Sequence, residues 1–483
     1  MHDNRDTMGF LHFIIILLVV ASPFHLAAQS PDVNLTIHLR GVFESKISLL
    51  GLSNTGTWKS ILEVQGIKNQ ESAILRIDSA YLPGEFVLRF DYKEKETSIP
   101  YPSEKYLFIS DQNLELWVSP MYCNNPDSTL FQDGEKENST FSAFLTENSR
   151  RIESTGLLQQ FLMNYDDTES KFYQEGIVEY EKRRKSYNAW LTNEVHTDRD
   201  MFVSSVYLFN YIPEVTWEGT EQDRLISLRE HYFDGIDLDD PLIVKTSRMN
   251  DWMNAYVNLH GQMATTVALR DSLIPAAAKT AIEKARSGDP TVYGWMVDYF
   301  YRGFEANNIP AGMKVLEPYM NDPACLTSKR LEIERRLKGM ETLIAGSIAP
   351  DFAIDDSSGR PSTFHHYYTG DGYKLVLFWS AGCEHCTELV HELYQWSMKP
   401  EIQSKLCVFA VSLDETETEI LNWKSFKSRL PGWQHILAPA GVNSPVASDY
   451  YILATPVMIL VNSRTNEIVA IPETLDQLKN ELR

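Results

Sequence analysis

The chain has 483 residues, 43% of them hydrophobic, enough for about three domains each with its own core. Its formal net charge of −22, from 66 acidic against 44 basic side chains, excludes general nucleic-acid binding, because a phosphate backbone would be repelled by most of the surface. Five cysteines in a chain of this length are too few for a disulfide-built scaffold.

Residues 1–29 read as an export signal. Arg5 precedes an apolar run, Phe10–Ala21, and Ala27-Ala28-Gln29 offers small residues for cleavage near Ala28–Ser30. The run is about twelve residues, short of the roughly twenty needed to span a bilayer, so cleavage is expected over an uncleaved anchor. The expected location is therefore exported: periplasm or cell envelope.

Residues 30–120 read as β. VNLTIHLRG, KISLLGLS, SAILRI, GEFVLRFDY, KYLFI and LELWV are short β-branched and aromatic runs separated by turn residues, which predicts an antiparallel β-sandwich-like domain. Asn124–Asn138 is too polar to bury and is expected to be a linker. Residues 121–343 then form an all-α helical domain. Helices are predicted at Thr140–Tyr165, Glu169–Asn193, Met201–Tyr211, Thr220–Phe233, Ser247–Leu259, Pro275–Arg286, Pro290–Ala306 and Thr327–Leu343. Thr220 and Asp289-Pro290 are expected helix starts. Tyr293, Trp295, Tyr299, Phe300, Tyr301 and Phe304 could line a groove for unfolded polypeptide, but at helical spacing they are expected to pack helix against helix.

Residues 344–483 hold the chemistry. In KLVLFWSAGCEHC, Leu375–Trp379 reads as a buried strand and Glu384–Met398 as the helix after it. Cys383 then sits at the helix N-terminus, where free N–H groups and the helix dipole favour a thiolate, with Cys386 in the first turn. A Cys-x-x-Cys pair serves as a redox dithiol or as half of a zinc site. No second pair of ligands at matching spacing accompanies it, so no metal is expected.

The surroundings add a resemblance. GSIAPDF (Gly346–Phe352), Phe378-Trp379 before Cys383-Glu384-His385-Cys386, the strand LCVFAVSL, and Ala454-Thr455-Pro456 before VMILV together resemble the TlpA/ResA-type extracytoplasmic thioredoxin-like proteins, over roughly the last 140 residues. The resemblance implies a C-terminal α/β thioredoxin fold and a thiol–disulfide oxidoreductase, of the protein-disulfide reductase or isomerase type, serving cell redox homeostasis. It makes Cys383 and Cys386 catalytic, and Thr455 and Pro456 the turn facing them. Glu384, His385, Trp379 and Glu388 would tune the dithiol or position substrate. His385 should favour the Cys383 thiolate and Glu384 oppose it, which predicts a potential between about −270 and −120 mV.

No cofactor is implied beyond the Cys383–Cys386 disulfide. The expected partners are protein dithiols or disulfides and an envelope electron donor or acceptor, and a homodimer is compatible with the resemblance. Three departures stand out: Leu377 where thioredoxin has a buried acid, Gly382 where many relatives have Trp, and Leu389, with Glu388 one step early, where TlpA/ResA relatives often have Glu. APDF also resembles the peroxiredoxin/AhpC group, with Ser380 three residues before Cys383, so a thiol peroxidase is one alternative and a non-enzymatic envelope binding protein another. Cys407 reads as a buried thiol, whereas Cys123 and Cys325 lie in loop-like sequence and could pair.

Overall fold

The structure, a computed structural model, describes residues 32–53, 56–355, 359–368 and 371–482. The export signal expected at 1–29 lies outside the described residues. The described residues fall into two compact units, one within 32–51 and 60–135, the other within 52–59 and 136–482.

The first unit holds strands β1 (Val33–Leu39), β2 (Glu44–Leu52), β3 (Trp58–Lys68), β4 (Ser72–Ile77), β5 (Gly84–Lys93), β6 (Tyr101–Ile109), β7 (Leu114–Val118) and β8 (Thr129–Phe131). They form two four-stranded sheets, in the orders β4-β1-β7-β8 and β3-β2-β5-β6. Alternate residues of both sheets, such as Leu35, Ile37, Leu75, Phe86, Leu88 and Leu116, share one core, which is the packing of a sandwich. The sandwich is not wholly antiparallel. β1 and β7 run parallel, with Leu35 opposite Leu114, because the chain visits the other sheet between them and returns in the same direction.

Two strands differ from the sequence reading. β3 was not expected, since its side chains are only partly buried, although Ile61, Leu62, Val64 and Ile67 do touch the core. β8 falls inside the stretch expected to be a linker. It pairs antiparallel with β7, and the buried Thr129 hydroxyl donates to Cys123 O at 2.7 Å.

Helices follow: α1 (Glu137–Asn164), α2 (Lys171–Thr197), α3 (Glu221–Glu230), α4 (Ser247–Met263), α5 (Val267–Arg286), α6 (Pro290–Ala306), α7 (Pro310–Met320) and α8 (Arg330–Thr342). Thr220 and Asp223 form a reciprocal capping box on α3, and Asp289 caps α6 with Pro290 in its first turn. The segment expected to be a helix at Met201–Tyr211 is a 3-10 helix, Phe202–Asn210, whose N-terminal N–H groups at Phe202 and Val203 are taken by the buried Glu137 carboxylate at 3.1 and 2.9 Å. α5 begins at a Thr266 cap ahead of Pro275 rather than at the proline. The α6 aromatics Tyr293, Trp295, Phe300, Tyr301 and Phe304 are buried, which makes them core. No helix among the described residues is long and apolar enough to cross a membrane.

The C-terminal segment opens with a hairpin, β9 (Ala353–Asp355) and β10 (Pro361–Thr363). It continues as β11 (Tyr373–Trp379), α9 (Glu384–Ser397), α10 (Pro400–Gln403), β12 (Leu406–Ser412), α11 (Glu417–Arg429), β13 (Gln434–Leu437), α12 (Pro445–Asp449), β14 (Val457–Asn462), β15 (Ile468–Ala470) and α13 (Leu475–Glu481). The sheet order is β13-β12-β11-β14-β15. β11, β12 and β13 are parallel, β14 is antiparallel to β11, and β15 is antiparallel to β14.

β11 is central, so its residues are apolar on both faces. Leu375, Leu377 and Trp379 join a core with Val390, Leu393 and Leu478, whereas Val376 and Phe378 join the opposite core with Phe352, Phe364 and Tyr450. This topology is thioredoxin-like. The segment is fastened to the helices before it: Arg335 donates to Val442 O at 2.8 Å and Asn308 to Glu473 at 2.5 Å.

Candidate redox site at the carboxyl end of the central sheet

β11 delivers the chain to the carboxyl end of the sheet, and α9 carries it away again. Between them Cys383 is the N-cap of α9, with extended backbone, and its Sγ accepts from Cys386 N at 3.3 Å. Sulfur here takes the place that a Ser or Asp oxygen fills at an ordinary helix start, against N–H groups that have no partner within the helix. Cys383 and Cys386 are joined as a disulfide, with Cα atoms 5.2 Å apart. Cys386 is fully buried and Cys383 half-buried, so a reagent reaches the pair from the Cys383 side.

Across the site, Thr455 Oγ1 lies 3.3 Å from Cys386 Sγ, and the Thr455–Pro456 peptide is cis. Trp379 is fully buried, in one core with Cys386 and edge-on to Phe426, so it supports the dithiol from beneath and meets no solvent. The other predicted tuning residues point away. Glu384 is exposed in the first turn of α9. His385, with its side chain 90% exposed, faces Glu388 at 3.8 Å, and Glu388 is itself 69% exposed. The structure thus brings Cys383, Cys386, Thr455 and Pro456 together, places Trp379 below them, and leaves Glu384, His385 and Glu388 on the outer face of α9.

Asp414 stands out as a residue that the sequence did not single out. It is fully buried just past the end of β12 and binds Ser380 and Ala381, immediately ahead of the cysteines. The available signal was its position: an acid directly after a parallel strand's carboxyl end, where α/β sheets gather functional groups. Gly382 also gains a reason. A Cβ there would meet Glu419 Oε1 at 3.2 Å, and that carboxylate is committed to the capping box of α11 with Thr416.

The remaining cysteines are chemically quiet. Cys123, Cys325 and Cys407 are each free thiols. Burial pushes the Cys123 and Cys325 thiols up, and that of Cys407 to about 12. Among the described residues no group of three or more His, Cys, Asp or Glu is placed to hold a metal ion.

No protein-family model matches the chain, and no curated protein matches it. Solved structures do. A thioredoxin-like protein from Bacteroides caccae is 18% identical, covering 56% of this chain and 96% of its own, with a TM-score of 0.37. The thioredoxin domain of a thiol-disulfide oxidoreductase from Bacteroides vulgatus is 25% identical, covering 29% of this chain and 99% of its own, with a TM-score of 0.25. A thiol:disulfide interchange protein from a Bacteroides species is 26% identical over 29% of this chain and 88% of its own, with a TM-score of 0.23.

Proposed function

We propose that this chain is an exported thiol–disulfide oxidoreductase of the cell envelope that exchanges disulfides with protein substrates through Cys383 and Cys386. The observation that carries the reading is a reachable sulfur at a helix N-cap bonded to a fully buried one, with Thr455 against the buried partner. In the reduced form, the Cys383 thiolate attacks a substrate disulfide. One substrate sulfur joins Cys383 and the other leaves as a thiolate. Cys386, losing its proton, then attacks Cys383 Sγ, expels the second substrate thiolate and closes the internal disulfide. Two electrons pass to the substrate, and the reverse sequence oxidises a dithiol.

The N–H of Cys386, directed at Cys383 Sγ, favours negative charge on the sulfur that must attack and leave. Exchange of this kind draws on no cofactor; the cysteine pair is the carrier, and an envelope electron donor or acceptor resets it. His385 and Glu388 act on the pair from the solvent side, through water, and so more weakly than a buried charge would. Ser380 favours disulfide over peroxide chemistry, because its hydroxyl is engaged by Asp414 and Gly382 rather than offered to Cys383.

The test is equilibration of the full chain in glutathione buffers with Cys383→Ser as the blank, together with reduction of insulin disulfides. A measurable couple and turnover, both lost in the variant, are the expected result. A wild-type chain that neither equilibrates nor turns over would sink the proposal.

A further inference from the structure

We infer that Asp414 is the positioning residue of the dithiol, holding the Ser380–Cys383 loop so that the two sulfurs stay within bonding reach. This rests on the reading of Cys383 and Cys386 as a redox pair. Asp414 Oδ1 accepts from the Ser380 hydroxyl at 2.6 Å and from Ala381 N at 2.9 Å. Its Oδ2 accepts from the Ser412 hydroxyl at 2.6 Å and from Ala381 N at 3.1 Å. The carboxyl group is fully buried. A charge in that position is tolerable only if hydrogen bonds replace the water it has lost, and the donors that do so come largely from the loop leading to Cys383.

The arrangement passes along the loop residue by residue. Ser380 Oγ, while donating to Asp414, accepts from Gly382 N at 3.1 Å. Ser380 O accepts from Cys383 N at 3.3 Å. The three N–H groups ahead of the Cys383 side chain are therefore all engaged, and the hydroxyl in the middle is oriented by Asp414. Leu413 N to Trp379 O, at 2.9 Å, carries the β11–β12 pairing up to the start of this network and fixes Asp414 relative to the loop.

Two consequences follow, with the same sign. A disulfide is favoured by the effective concentration of one thiol at the other, so loosening the loop weakens it. Removing a negative charge from beneath the loop also favours a thiolate at Cys383, which again weakens the disulfide relative to the reduced form. Leu377, in the strand before the cysteines, is buried and apolar, and the acid lies just past the end of the neighbouring strand, reaching the dithiol through backbone and a hydroxyl.

The experiment is glutathione equilibration of the full chain as wild type, Asp414→Asn, Ser380→Ala and Ser380→Thr, with thermal unfolding of the oxidised forms alongside. The equilibrium constant for forming the internal disulfide is expected to fall about tenfold in Asp414→Asn, an upward shift of about 30 mV for a two-electron couple. It should fall about threefold in Ser380→Ala, with Ser380→Thr within about twofold of wild type because the hydroxyl is restored. Should Asp414→Asn not fold, the contrast between Ala and Thr at position 380 decides. Folded Ser380→Ala that equilibrates like wild type overturns this inference alone. A wild-type chain with no couple overturns the redox reading and this inference together.

Discussion

The two ends of strands β11 and β12 solve the same physical problem and put it to different uses. At the carboxyl end, buried Asp414 is satisfied by donors from the loop that carries Cys383. At the amino end, Lys374 is equally buried, and its ammonium donates to Phe364 O at 2.7 Å, His365 O at 3.1 Å and Asn466 Oδ1 at 2.9 Å, 4.8 Å from the centre of the Phe364 ring. Burial lowers the Lys374 pKa to about 8. Its neighbour in register, Cys407, is a sulfur that does not ionise near neutral pH. The partners of Lys374 lie in the segment after β10 and in the turn between β14 and β15, so this charge fastens chain segments. A buried charge does not mark a reactive site by itself; the groups it organises decide.

The largest effect should come from breaking the carboxyl end chemically. Cys386→Ser removes the thiol that resolves the mixed disulfide, so the second step must borrow a thiol from solution. Insulin reduction should fall by at least about a hundredfold, the scale set by losing an intramolecular reaction partner. Cys383 should accumulate as a stable glutathione adduct, visible by mass spectrometry, while the melting temperature of the variant stays close to that of reduced wild type. Full turnover without Cys386 would mean that the two sulfurs do not act as a pair.

The amino end should show the opposite pattern. Lys374→Met leaves two carbonyls and the Asn466 side-chain oxygen without this donor, at a cost of about 1–3 kcal/mol read by urea unfolding. The glutathione equilibrium should remain within about twofold of wild type, because nothing that Lys374 binds belongs to the Cys383 loop. A matching shift in the redox couple would join the two ends and dissolve the contrast between them.

How far the sequence could be read follows the same division. The apolar run of β11, the helix after it and the Cys-x-x-Cys junction are local patterns, so the sequence predicts them to within a residue or two of their observed bounds. β13 is four half-buried residues including Gln434 and His435, and α7 is short with Pro310 and Pro318, so neither has a run long enough to announce itself. The Ser380–Asp414 contact joins residues 34 apart and exists only because β11 and β12 lie side by side in parallel register. Sequence patterns give each strand but not which acid at a strand's end will find which hydroxyl. His385 differs in kind: its place between the two cysteines is plain in the sequence, whereas its 90% side-chain exposure and its 3.8 Å approach to Glu388 follow from the helix that carries both.

The smallest effect is also the one with the most specific signature. An unfolded chain holds the Lys374 proton up to a pKa near 10.4, whereas the folded protein releases it near 8. Between those values the unfolded state binds more protons, so the Lys374 contribution to stability rises with pH, by at most about 1.4 kcal/mol per unit. It is fully present above the upper value and lost as pH falls through the lower one. Other groups titrate in the same window, so the observable is the stability of wild type minus that of Lys374→Met, both in the disulfide form to keep Cys383 and Cys386 from ionising. That difference should grow from pH 8 to pH 10 and be flat from pH 6 to pH 7. A flat Lys374 difference across the window would mean that the ammonium is stabilised by its three acceptors as well as it is by water, and that the amino end carries no electrostatic cost.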